Sequence, residues 1–353
     1  HNGQFVIPAT NAWAADSLDV EGRVWWPANF DLKVAGDLAV VSSNVYCKGM
    51  RFNGGKLTVG GDVRVAGATL RLGRGCEATI GGGLQQTNTM KSCENANVKF
   101  GRVYLQAGPT NGVDGASFGQ TVRIGGTWSV ASNSICVFYA DWTNGAVTKV
   151  WAKNVALDAG AKFNADRGGW RQGRGLGPGN YSYQVIKSAS HGGHGGAFSP
   201  ASQVATYGDE QHPLHPGSGG GGSEGGGAIV IEAERSFTLN GTVSVDAGAA
   251  TTWQGAASGG SVYLTANKFT GTTGVVSADG GNGGGTATSS GRPGGGGRIA
   301  VWCLQNHLSP EATAAVQALA GVSSGTVAGE IAAENGTVYW GALTAKGLIL
   351  YLR

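Results

Sequence analysis

Four of the six histidines in this 353-residue chain lie between positions 191 and 215, in the segments HGGHGG (191–196) and YGDEQHPLHPG (207–217). Around them gather Asp166, Arg167, Trp170, Arg171, Arg174, Tyr207, Asp209, Glu210 and Glu224, in a chain whose charged residues make up only 13%. Four chemistries use these residue types. A metal site would take imidazole nitrogens from His191, His194, His212 and His215 and a carboxylate from Asp209 or Glu210. Glycoside hydrolysis needs one carboxylic acid to protonate the leaving oxygen and a second carboxylate as base or nucleophile. β-Elimination at a uronate would set Tyr207 or a histidine as base, with Arg167, Arg171 or Arg174 neutralising the carboxylate. In the fourth reading the histidines and tyrosines only hydrogen-bond the carbonyls of a folded glycine-rich loop.

These residues need a frame, and the first half of the chain supplies one by repeating. LKVAGDLAV (32–40), LTVGGDVRV (57–65), ATIGGGLQQ (78–86) and VRIGGTWSV (122–130) share alternating apolar positions broken by a small pair; their starts are 25, 21 and 44 residues apart. VKFGRVYLQ (98–106) fills the gap of twice 22, one residue short. A unit of about 22 residues built from period-2 strands and glycine corners predicts a β-solenoid, each unit one coil stacked on the last. The expected fold is all-β, a right-handed parallel β-helix with a long glycine-rich insertion and a short C-terminal helix.

A longer unit runs through the second half. GGAIVIEAERSFTLNGTVSVDAG (226–248), GGSVYLTANKFTGTTGVVSADGG (259–281) and GGRIAVWC (296–303) align at Ala228, Ser261 and Arg298, and VALDAGAKFNADRGG (155–169) carries an earlier copy of the third strand. Between that copy and Ala228 lies the insertion with the histidines, far longer than the loops after it; loops of this length are usually functional or disordered, and Trp170, Tyr181, Phe198 and Tyr207 argue for order. One domain over 1–353 is expected: an N-terminal cap (1–31), regular coils (32–165), the inserted loop (166–227), glycine-looped coils (228–303), then a helix at SPEATAAVQALA (309–320) and closing strands (304–353). Glycine tracts such as GSGGGGSEGGG (217–227) lack the order of a phosphate-binding loop and read as extended strands packed along one edge.

Composition narrows the function. With 65 glycines but 41% hydrophobic residues and ten tryptophans, the chain can bury a core. The net charge of +3 is spread without Lys/Arg runs, which speaks against nucleic acid as partner. No apolar run reaches membrane-span length and no signal-peptide core is seen at the start. The five cysteines (Cys47, Cys76, Cys93, Cys136, Cys303) lack CxxC pairs, leaving one or two disulfides among the first four or buried free thiols. The Gly, Ser, Thr and Asn richness points to a secreted or cell-surface protein. Trp25, Trp26, Trp142, Trp151, Trp170 and Trp253 either stack on sugars or pack in the core.

In architecture the chain resembles the secreted bacterial right-handed parallel β-helix proteins, which include pectin-type polysaccharide lyases and polygalacturonase-like glycoside hydrolases. NAD (164–166), GHG (193–195) and RIA (298–300) follow the order of the polygalacturonase motifs NTD, GHG and RIK, without the paired aspartates between the first two and without the lysine. The resemblance implies a polysaccharide ligand in a groove along the solenoid. The expectation is therefore a polysaccharide-cleaving hydrolase with no cofactor. Asp209 or Glu210 would be the acid, Asp166 or Glu224 its partner, and His194 would join this catalytic set. His191, Tyr207, Trp170, Arg167, Arg171, Arg174, His212 and His215 would hold substrate. A lyase, or a non-catalytic adhesin or glycan-binding module, is the alternative, as is a metal at the four histidines; oligomeric state is left open.

Overall fold

The computed structural model describes residues 11–42, 49–87, 102–109, 118–182, 186–285, 291–323 and 330–344. Strands visit three ladders in turn, and every strand pairing within them is parallel. The first ladder stacks Ala12–Ala15, then residues 31–34, 56–59, 77–80, 122–124, 149–152 and 228–232, and closes with 261–266, 298–303 and 337–342. The second runs from Leu18–Val20 through 38–41, 63–66, 84–87, 128–130, 154–157, 236–239 and 268–271 to 305–308. The third runs from 23–25 through 49–53, 69–73, 102–106, 135–139, 162–164, 242–244 and 275–277 to 316–317. The molecule is a parallel β-helix.

Sequence alignment and physical register coincide. The first residues of the aligned repeats are ladder partners, Leu32 with Leu57, Leu57 with Ala78, and Ala78 with Val122. Ala228, Ser261 and Arg298 likewise stand in one column. The place given to 98–106 needs correction. Arg102–Gln106 belongs to the third ladder, between Thr69–Leu72 and Ile135–Tyr139, and Val122 sits directly on Ala78, so the 44-residue gap is a single coil. Apolar alternation is the same on all three faces and does not say which face a strand joins.

Alternation sends one set of side chains inward, where Trp128 packs tilted against Phe163 at 4.5 Å, Phe163 meets Phe237 edge-on at 6.4 Å and Phe237 stacks on Phe269 at 5.2 Å. These four rings are fully buried, and each contributes about 1.5–3 kcal/mol through burial. Aspartates tie the corners of successive coils. Asp37 accepts the N–H of Asp62 at 2.8 Å, and Asp62 that of Gly83 at 2.7 Å.

The glycine tracts form a second layer. Gly226 N–H donates to Ser258, Gly259 N–H to Gly295, and Gly296 N–H to Glu334, at 3.0–3.1 Å, so loops of successive coils bond directly, backbone to backbone. Approach is close enough to require glycine: a Cβ on Gly260 would stand 1.9 Å from the Gly227 carbonyl oxygen.

The ends differ from expectation in two ways. Residues 12–31, assigned to a cap, already form strands of the ladders. The helix is only Pro310–Ala314, capped by Ser309, whose hydroxyl accepts the Ala312 N–H at 3.1 Å. Beyond it Val316 turns into the core and Val316–Gln317 pairs with Val276–Ser277, since burial and ladder bonds outweigh alanine's helix preference. Cys76, Cys136 and Cys303 are buried free thiols; Cys47 and Cys93 lie outside the described residues. No helix among the described residues is long and apolar enough to cross a membrane.

Candidate functional site

The early coils of the third ladder carry an arginine-rich face. Met50, Phe52, Leu70, Leu72, Val103, Leu105, Cys136 and Phe138 point into the core, so their neighbours must point out. In strand register Trp25 pairs with Arg51, Arg51 with Arg71, and Arg71 with Tyr104. A parallel column two residues back holds Arg23, Gly49, Thr69, Arg102, Ile135 and Lys162. Adjacent strands lie about 4.8 Å apart, which sets Arg51 beside Arg71. Among the described residues of these strands, from Arg23–Trp25 to Lys162–Asn164, there is no Asp or Glu.

Two hollows follow the column and share Arg71. One, of about 220 Å³, is lined by Arg23, Trp25, Arg51, Thr69 and Arg71 among others. The other, of about 240 Å³, is enclosed by Arg71, Gln106, Tyr139, Trp142, Arg171 and the Arg167–Glu224 pair. Its wall is the start of the insertion. Arg71 donates to Gln106 at 3.3 Å and lies 5.7 Å above the Tyr104 ring, and Arg102 reaches the Tyr104 hydroxyl at 3.2 Å. Arg171 sits 4.0 Å over the Trp142 ring and Arg174 5.9 Å, contacts that hold guanidinium planes in place. Arg167 adopts a left-handed backbone (φ 55°), rare for a side-chain-bearing residue, and its side chain meets Glu224 at 2.6 Å. Burial, and then the neighbouring Tyr104, push the Tyr139 phenol above its ordinary range.

The insertion divides the residues singled out from sequence. Of the four carboxylates, Glu224 lines the groove. Asp166 is a structural rung: it accepts the Ser244 hydroxyl and the Asp246 N–H, while Asp246 in turn accepts the Asp279 N–H at 2.8 Å. Asp209 lies on an exposed turn, its carboxylate accepting the N–H groups of Gln211 and His212, which hold it below the usual carboxylate range. Glu210 is exposed on the same turn. Trp170 is 8% exposed and packs against Gly145, so it backs the groove wall.

The histidines do not converge as a group. His191 is fully buried, stacked on Tyr207 at 4.5 Å, with Nδ1 2.8 Å from the Gly259 carbonyl; burial chiefly pulls its pKa down to about 3, keeping it neutral. Tyr207 donates to the Pro216 carbonyl and accepts from Ser218, and burial pushes its phenol up. His215 meets Tyr207 edge-on at 5.9 Å. His194 turns to the Val204 carbonyl at 2.8 Å, while His212 stacks on Trp302 at 5.4 Å. No group of three His, Cys, Asp or Glu side chains with metal-holding geometry occurs among the described residues. The RIA arginine, Arg298, bonds the Tyr207 carbonyl and Thr337.

No family model, curated protein or solved structure matches this chain. The sequence reading missed Arg23, Arg51, Arg71, Arg102, Tyr104 and Tyr139. Its signal was present in the third strands, GMRFN (49–53), TLRLG (69–73) and RVYLQ (102–106), where polar or aromatic residues recur at outward positions. Trp25, at 52% exposed, is a free stacking surface; Trp26, 6% exposed and stacked on Phe30 at 4.6 Å, is core.

Proposed function

We propose that this protein is a secreted or cell-surface glycan-binding module that holds an extended anionic polysaccharide along the early third-ladder face. One observation carries the reading: Arg51 and Arg71 stand in register between Trp25 and Tyr104, on strands without a carboxylate. Guanidinium groups bind carboxylate or sulfate through paired N–H donors. Exposed aromatic rings add apolar contact to a sugar face. A solenoid repeats both at each coil, which suits a polymer.

Hydrolysis is the weaker reading on geometry. It requires two carboxyl groups facing each other across the bond to be cleaved, whereas Asp166 is a ladder rung, Asp209 and Glu210 sit on an exposed turn, and Glu224 is paired with Arg167. Elimination has one point in its favour, Tyr139 beside Arg71, Arg167 and Arg171 in one hollow, though a phenol pushed up in pKa is a poor base at neutral pH.

Affinity electrophoresis tests the proposal, with polygalacturonate, dextran sulfate, dextran and double-stranded DNA in the gel and product release followed in parallel. Retardation by the acidic glycans, stronger than by dextran or DNA and without new reducing ends or unsaturated product, is the expected result. Retardation by dextran alone, or by DNA above all, would contradict it.

A further inference from the structure

We propose that Glu224 is a built-in competitor for the ligand's anionic groups, occupying Arg167 until a uronate or sulfate displaces it; this rests on the glycan-binding reading above. The Arg167 guanidinium contacts a single Glu224 oxygen twice, Nε at 3.1 Å and Nη2 at 2.6 Å. Both residues line the hollow that also contains Arg71 and Arg171. Those two arginines are held by other means, Arg71 by Gln106 and Arg171 by the Trp142 ring. Arg167 is therefore the guanidinium of this hollow that the protein itself supplies with an anion.

The backbones on both sides are fixed. Arg167 N–H donates to the Asp246 carbonyl at 2.9 Å, and the Glu224 carbonyl accepts the Gly248 N–H at 2.9 Å within the glycine layer. Only the side chains are free to part. They are 60% and 31% exposed, and an ion pair in such a setting is weak. A ligand carboxylate or sulfate offers Arg167 an anionic oxygen as Glu224 does, with a second oxygen for a paired contact, so it can replace Glu224, whereas a neutral hydroxyl cannot match the charge. The released Glu224 then stands as a like charge beside the incoming anion. Glu224 thus lowers affinity for every anionic ligand and sets the charge a ligand must carry before Arg167 joins the groove.

The test compares wild type, Glu224→Gln, Glu224→Asp and Arg167→Gln, with and without Glu224→Gln, for binding to polygalacturonate and to its fully methyl-esterified form. Glu224→Gln should bind polygalacturonate roughly two- to fivefold more tightly, the range an exposed ion pair allows, with a steeper salt dependence and unchanged affinity for the ester. Glu224→Asp, which keeps the charge on a shorter arm, should fall between. In the Arg167→Gln background the gain should shrink to what relief of like-charge repulsion alone provides, giving a non-zero coupling in the double-mutant cycle. Equal or weaker binding by Glu224→Gln, while wild type binds, overturns the competitor role and leaves the groove standing. Absence of binding by wild type and all variants overturns the groove itself. Loss of product release in Glu224→Gln would instead make Glu224 a catalytic carboxylate and overturn both.

Discussion

The third ladder is one continuous stack, yet its two halves carry opposite outer faces. In the early coils the outward positions are Arg51, Arg71 and Tyr104, with Arg23 and Arg102 alongside; in the later coils the same columns become Ser244 and Ser277, with Thr242 and Val275. Beyond the strand ends Asp166, Asp246 and Asp279 form a hydrogen-bonded chain along the later coils. Both halves fold into the same coil, so the coil does not demand arginine. It does need acceptors where strands end, since a buried N–H without a partner costs free energy. The aspartates answer that need and the arginines do not. This separates side chains that build the solenoid from those available to a ligand.

The largest expected effects are structural and fall in the late half. Gly260→Ala would force a Cβ to 1.9 Å from a carbonyl oxygen, and a drop of about 1–3 kcal/mol or more is expected in denaturant unfolding. Gly173→Ala, in the insertion, meets nothing within 4 Å and bears only the strain of φ 65°, about 1 kcal/mol. If both cost the same, the close packing of the glycine layer is not what stabilises this half.

Asp246→Ala comes next. It strips the acceptor from the Asp279 N–H and from the Ser277 hydroxyl, leaving Ser244 with Asp166, and should cost about 1–3 kcal/mol without altering glycan affinity below the transition. Asp246→Asn keeps an acceptor and changes the pH response instead. Burial, reinforced by Asp166, raises the Asp246 carboxyl above its ordinary range, and burial raises Asp279 as well. A carboxyl raised in the folded state binds its proton more tightly there than in the unfolded chain. Its contribution is full below the unfolded pKa and fades as pH rises through the folded value. Tm differences between wild type and Asp246→Asn should therefore favour wild type progressively as the solution is acidified from neutral into the carboxylate range. A difference that is flat with pH would break the assignment.

Effects in the early half should appear in binding and leave stability untouched. Arg51→Ala removes an exposed charge and should weaken binding to acidic glycan roughly tenfold, the loss of one charge-assisted contact, at unchanged Tm. The smallest effect belongs to His212→Ala. Its ring stacks on Trp302 in an exposed loop away from the arginine column, and a change within about 0.5 kcal/mol in Tm-derived stability is expected, with glycan affinity intact.

Much of the solenoid was legible because its signal is local and repeated. The aligned starts Leu32, Leu57, Ala78 and Val122 became ladder partners, and the glycine tracts became packed extended segments as read. The groove was not legible, for a geometric reason. Arg23, Arg51, Arg71 and Arg102 are 20 to 31 residues apart in sequence and become neighbours only once the coils stack; the third strands that carry them are too short to stand out. The histidine cluster misled in the opposite direction. His194 and His212 are close in sequence to His191 and His215, but with Gly192 and Gly193 inside one pair and Pro213 and Leu214 inside the other, His194 turns to the Val204 carbonyl and His212 onto Trp302. Proximity along a glycine-rich loop says little about where side chains converge.

The central claim is that the in-register arginines, and not the histidine cluster of the insertion, bind the ligand. Its most direct test is the affinity of the Arg51→Ala/Arg71→Ala double variant for polygalacturonate, measured beside wild type and a His191→Ala/His194→Ala double variant, with Tm recorded for each. The expected result is a loss of roughly a hundredfold for the arginine pair, two charge-assisted contacts of about tenfold each, at unchanged Tm. Retained affinity in the arginine variant, with binding lost only in a folded histidine variant, would contradict it.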